Sequence, residues 1–88
     1  MSQTHRVYIL ECGDGSYYTG YTTDIDRRIE EHRSGDGAKY TRGRRPLELI
    51  HLETYATKSA AMSREAEIKQ LSRSQKERLV TETPEDYL

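Results

Sequence analysis

Residues 6–22 read RVYILECGDGSYYTGYT, and the folding of this stretch decides the rest of the chain. RVYILEC, residues 6–12, is β-branched and aromatic with no breaker, the composition of a strand covered on both faces. GDG at 13–15 is a turn signal, and SYYTGYT at 16–22 reads as the returning strand of a hairpin. With the three turn residues as the loop, Cys12 faces Ser16, Leu10 faces Tyr18 and Tyr8 faces Gly20. Tyr8 and Tyr18 then share one face of the sheet, because alternate residues line one side of a strand. Gly20 leaves the space beside Tyr8 without a side chain. A slip of one residue would send the two tyrosines to opposite faces, so this pocket depends on register.

Working outward, Thr23 or Asp24 caps a helix that runs to about Ser34, with Asp24 and Asp26 in its first turn. SGDGAKYTRGRRP, residues 34–46, mixes glycine with basic residues and reads as a loop whose backbone can approach an anion. LELIHLETYA, residues 47–56, alternates Leu47, Leu49, His51 and Glu53 against Glu48, Ile50, Leu52 and Thr54, the pattern of a third strand. Thr57 or Ser59 starts a helix to about Leu71, and a short helix over about 74–80 follows. The expected architecture is α+β: a small three-stranded antiparallel sheet flanked by helices, sandwich-like, in the order β-β-α-β-α-α. At 88 residues the chain is expected to form a single domain over 1–88, with its core at about 6–80 and an acidic tail at 81–88.

Composition narrows the function classes. Only 33% of residues are hydrophobic and 33% are charged, with no Phe or Trp and seven Tyr, so tyrosines must fill aromatic core positions. The apolar residues cluster, which indicates a folded domain rather than a disordered one. One cysteine, Cys12, excludes an internal disulfide, and three histidines beside it give no zinc spacing. VYIL at 7–10 is the longest apolar run, so no membrane span is expected, and without a signal-peptide core the cytoplasm is the expected compartment. Net charge is −1, yet residues 27–45 hold seven basic side chains against three acids. A local field of that sign can hold a polyanion on a chain that is neutral overall. A solvated charged surface explains the same residues equally well.

Several polar residues fall where apolar ones belong. On the first helix, Arg28 and His32 flank Ile25 and Ile29, the only apolar stripe it has, and stand one turn apart. An arginine snorkelling from the rim beside a satisfied core histidine accounts for the pattern; so does a site into which both heads converge. On the second helix Glu65 lies between Ala61 and Ile68. It is either an exposed i,i+4 partner of Lys69 or a carboxylate kept for a cation.

These residues, taken in order, resemble the GIY-YIG nuclease superfamily, in particular its small stand-alone members. Arg6-Val7-Tyr8 keeps the aliphatic–tyrosine pair of the first motif without its leading glycine. Tyr18-Thr19-Gly20 stands for the second motif, ten residues after Tyr8. Arg28, eight positions beyond Gly20, matches the family's catalytic arginine, and His32 follows one turn later. SREAEIKQLSR, residues 63–73, places the family's metal-binding glutamate at Glu65. GAKYTRGRRPLEL, residues 37–49, is similar to the loop-and-strand block of the stand-alone group.

The resemblance implies a GIY-YIG-like fold and an endonuclease that hydrolyses DNA phosphodiester bonds with one divalent ion, Mg²⁺ or Mn²⁺, on Glu65. Tyr8, Tyr18, Arg28, His32 and Glu65 are then the catalytic set, with the general base left open between Tyr8 and His32. Lys39, Arg42, Arg44 and Arg45 are the expected phosphate contacts, which give affinity without reading sequence. The implied partner is nucleic acid, DNA in preference to RNA, with structure-selective cutting in DNA repair or recombination or a protein partner supplying specificity. The expected state is a monomer or weak dimer. The chain contains no asparagine, although many active members carry a late one near the site. The alternative is therefore a nucleic-acid-binding module that keeps the fold with weak catalysis.

Overall fold

The computed structural model describes residues 4–35 and 41–82. Strands β1 (His5–Glu11), β2 (Tyr17–Thr22) and β3 (Glu48–Tyr55) form one antiparallel sheet in the order β2-β1-β3. Helices α1 (Ile25–Ser34), α2 (Lys58–Lys69) and α3 (Arg73–Thr81) complete the expected β-β-α-β-α-α order.

The hairpin register is the expected one, with Tyr8 opposite Gly20 and Leu10 opposite Tyr18. Cys12 donates its amide to Ser16 at 2.8 Å to close the turn. β1 is the central strand, and its residues 7–10 are wholly buried because both faces are covered. Tyr8 and Leu10 pack with Ile25 of α1, joined by Tyr18, Ile29, Leu49 and Leu52. Val7 and Ile9 pack on the other face with Ala61 and Ile68 of α2, with Tyr17 and Tyr21 at the margin. The even and odd tyrosines of β2 therefore divide between two layers, as strand period requires.

The third strand departs from simple alternation. Ile9 pairs with His51 but Leu10 pairs with Leu49, a register shift of one residue at Ile50. An extra residue of this kind reverses the face of everything beyond it. Leu49 joins Leu52 against Tyr8 and Leu10, while His51 and Glu53 turn to the α2 side. The bulge lets the leucine be buried without dragging a histidine and a glutamate into the same apolar layer.

Local signals set the helix ends. Asp24 caps α1 by accepting from the Arg27 amide, and Gly35 ends it at φ 90°, a left-handed conformation that suits glycine. Thr57 caps α2. Ser72 and Gln75 form a reciprocal capping box at the start of α3. Helix α2 is further fastened to β3 by Arg64, whose Nε and Nη2 donate to the Glu53 carboxylate at 2.9 and 3.2 Å. His51 at 2.6 Å and the Tyr55 hydroxyl bind the same carboxylate. This clamp sits one residue before Glu65 and so fixes where that side chain leaves the helix.

Candidate active site

Tyr8 is the hub. Its ring lies over Gly20: a Cβ added there would fall 2.5 Å from Tyr8 Cζ, inside van der Waals contact. The glycine therefore lets a wholly buried tyrosine reach across β2 towards the sheet edge. The Tyr8 hydroxyl stands 2.8 Å from His32 Nε2, and Arg28 Nε donates to it at 3.4 Å. His32 Nδ1 in turn lies 2.9 Å from Thr41 Oγ1. Thr41 follows the undescribed residues 36–40, so the loop after α1 returns to the site at this point.

Helix period explains the arrangement on α1. Arg28 and His32 are one turn apart and both heads reach the Tyr8 hydroxyl, Arg28 from the partly exposed rim and His32 as a buried ring bonded at both nitrogens, a geometry that fits both readings of the wheel. His32 is 1% exposed. Burial, with the nearby Arg28 charge, lowers its pKa to about 4, so the ring is neutral at pH 7. Burial raises the Tyr8 phenol to about 12, against which the Arg28 hydrogen bond works only in part; Tyr18 and Glu65 add to the rise. A neutral histidine has one N–H, so the chain of bonds runs from Thr41 towards Tyr8 or the reverse.

Tyr18 is half-buried, its ring centroid 5.2 Å from His32 and 6.3 Å from Tyr8. Arg28 is partly exposed and also contacts Glu31 at 3.4 Å. Glu65 approaches from α2, near enough for its charge to help raise the Tyr8 phenol. Its side chain is 14% exposed, with Oε2 3.7 Å from the Lys69 ammonium. The pairing with Lys69 is the one expected of an i,i+4 partner, but the glutamate is largely buried beside the tyrosine and does not lie on an exposed face.

Among the described residues no cluster of three or more His, Cys, Asp or Glu side chains gathers to bind a metal. A single hard carboxylate oxygen still suits Mg²⁺ or Mn²⁺, which keep several waters and take further oxygens from a phosphate. The donor set at Glu65 fits an ion of that kind.

The loop cations separate into two groups. Arg42 Nε donates to the Gly35 carbonyl at 3.2 Å and Arg45 Nη1 to the Arg33 carbonyl at 2.9 Å, gathering both arginines at the end of α1. Arg44 instead donates to Asp14 in the hairpin turn at 3.1 Å. Lys39 lies outside the described residues. Thr41, Glu31 and the bulge at Ile50 were not anticipated from the sequence. Thr41 sits in an aperiodic glycine-rich segment, where nothing marks one hydroxyl over another.

With Tyr8, Tyr18, Arg28, His32 and Glu65 on adjoining elements, the comparison with known proteins is direct. The GIY-YIG catalytic domain profile matches residues 4–78. The chain belongs to the GIY-YIG family. A UPF0213 protein of Halobacterium salinarum is 65% identical over 75 residues, which are 85% of this chain and 97% of that protein. A UPF0213 protein of Natronomonas pharaonis is 60% identical over 82 residues, covering 93% of this chain and 96% of that one. The solution NMR structure of a UPF0213 protein from Bacillus halodurans shares the fold with a TM-score of 0.62 at 57% identity, covering 96% of this chain and 89% of that one. A second solution NMR structure, of an E. faecalis protein, gives 0.64 at 49% identity over 92% and 88%. The family ties this domain to nuclease chemistry and, in general, to a divalent metal. No helix among the described residues is long and apolar enough to cross a membrane.

Proposed function

We propose that this protein is a divalent-metal-dependent endonuclease that hydrolyses phosphodiester bonds of DNA. The observation that carries the reading is the Tyr8 hydroxyl, held between Arg28 and His32 with Glu65 close by. A metal on Glu65 would supply charge stabilisation at the phosphoryl oxygens. Arg28, always charged and planar, contacts the non-bridging oxygens as negative charge builds. Tyr8 orients the attacking water and takes its proton while passing its own to His32 Nε2, with Thr41 accepting from Nδ1–H. Tyr18, on the exposed side of the pair, hydrogen-bonds the phosphate or the same water. Arg42, Arg44, Arg45 and Lys39 hold neighbouring phosphates without reading bases.

The protonation states favour a second reading, a nucleic-acid-binding module with weak catalysis. A phenol near 12 and an imidazole near 4 both lie far from neutrality, whereas general bases work best with a pKa near the working pH. The two readings separate in one experiment. Branched, flap, single-stranded and duplex DNA are incubated with the protein, with and without Mn²⁺, beside Glu65→Ala and Arg28→Ala. The nuclease reading expects metal-dependent cleavage that falls by about 100-fold or more in each variant, as for loss of a charge-stabilising group. Cleavage by Glu65→Ala at the wild-type rate would sink it. DNA binding without cleavage by any form supports the second reading.

A further inference from the structure

Beside the proposed reaction centre lies a groove that the catalytic roles leave unused. It is open, about 210 Å³ in volume, and lined by Tyr17, Tyr18 and Thr19 of β2 with Lys69 of α2 and Lys76 of α3. Two lysines from different helices thus face the outer strand of the sheet. Lysines there have a simpler explanation, since charge on an edge strand discourages pairing with another chain. Thr19 argues for more. It is 5% exposed, and its hydroxyl oxygen has no hydrogen-bond partner among the described residues. A buried hydroxyl without a partner is unfavourable, and an apolar side chain of the same shape would serve packing better. Blocking an edge requires no such group, whereas holding an anion does.

The groove adjoins the reaction centre in two ways. Tyr18 belongs to both, and Lys69 also reaches Glu65, over 3.7 Å and from a side chain more than half exposed. The contact is long and its ammonium end is exposed, so Lys69 can turn to another anion, at the cost of leaving the largely buried Glu65 without it. The Arg73 guanidinium lies 3.7 Å from the centroid of the Tyr17 ring, which fixes one wall, while its charge is met by Glu77 at 2.9 Å.

We infer that this groove is a phosphate subsite, holding a phosphodiester group of the substrate strand next to the one cut. Lys69 and Lys76 supply the charge, and the Thr19 hydroxyl, enclosed beneath the groove lining, donates to a phosphate oxygen once the side chains over it part. The inference rests on the nuclease reading for its substrate class, but its test does not depend on cleavage.

Binding of a short single-stranded oligodeoxythymidylate and of inorganic phosphate is followed by NMR in EDTA, where no hydrolysis occurs. The oligonucleotide is expected to shift the Tyr18, Thr19, Lys69 and Lys76 resonances. Lys69→Ala/Lys76→Ala is expected to flatten the plot of log affinity against log salt by about 0.7, the one single-strand phosphate that the two lysines share. Lys58→Ala, exposed at the far end of α2, serves as the control and leaves most of that slope intact. Thr19→Val is expected to unfold no earlier than wild type yet bind about tenfold more weakly, the loss of one hydrogen bond to a charged group. Unchanged binding by Thr19→Val and the double variant overturns the subsite, even if the protein cuts DNA. Shifts with inorganic phosphate alone, and none with the oligonucleotide, overturn it as well. If no substrate is ever cut but these variants weaken binding as expected, the nuclease reading falls and the subsite stands.

Discussion

At the scale of the residue, the site depends on one missing side chain and one enclosed ring. Gly20 was legible because the hairpin register follows from a three-residue turn, and that register puts it opposite Tyr8. Arg28 and His32 were legible as polar interruptions of a short apolar stripe. Their common target was not, since a helical wheel fixes direction and leaves the depth of the neighbouring strand open. His32 also carries a consequence for stability. Its pKa falls from 6.5 to about 4 on folding because burial disfavours the charged ring. The unfolded chain therefore binds the proton more readily, and stability is fully present above about pH 6.5 and declines as pH falls towards 4. The loss from this one group is at most about 3 kcal/mol. His32→Gln, which can still bond Tyr8 and Thr41, is expected to remove that part of the decline. Urea unfolding of both proteins between pH 4 and 7 measures the difference; parallel curves would show that His32 is not the titrating group.

Among the elements, the placement of α2 matters most, because it alone brings Glu65 from the opposite layer of the sandwich. The sequence marks α2 by a cap at Thr57 or Ser59 and by its Ala61 and Ile68 spacing; the structure puts the cap at Thr57 and buries Ala61 and Ile68. The clamp that orients the helix was hidden by the bulge at Ile50. Simple alternation places His51 and Glu53 with Leu49, and only the register shift sends them to Arg64. Burial alone would raise the Glu53 pKa, but bonds from His51, Arg64 and Tyr55 outweigh it and bring the group down to about 2. Its contribution is present above about pH 4.5 and is lost as pH falls towards 2. Glu53→Gln is expected to cost about 2 kcal/mol at pH 7, less than for a fully buried pair because both partners keep some contact with water. The difference from wild type should shrink below pH 4.5. A cost that stays constant into acid would mean that packing, rather than the ion pair, fixes α2. Cleavage should fall less than in Glu65→Ala, since the variant loosens the helix without removing the carboxylate.

Over the whole molecule, a net charge of −1 hides a polarity that follows the fold. Arg42 and Arg45 reach back to carbonyls at the end of α1, beside Arg33, so the basic residues of 27–45 gather partly at one end of the site-bearing layer. Arg44 is drawn to the hairpin turn by Asp14, whose carboxyl is held below the usual range by Ser16 and Arg44. From the sequence alone the loop arginines were equivalent, because nothing in RGRRP separates them; the turn from 13 to 15 does so only once the chain has folded. Each exposed arginine that meets a duplex phosphate adds about 0.9 to the salt slope. Arg42→Ala/Arg45→Ala is therefore expected to reduce the slope for duplex DNA by up to about 1.8, uniformly across sequences. Arg44→Ala alone should change it less than either single variant, because part of its charge is already answered by Asp14. Asp14→Asn should then raise affinity at low salt by freeing that charge, and more so for wild type than for Arg44→Ala. Fluorescence anisotropy across a salt series reads all of these. If the three arginines prove equal, or Asp14→Asn has no effect, the turn does not tune the basic surface, and phosphate binding by this loop is set by sequence charge alone.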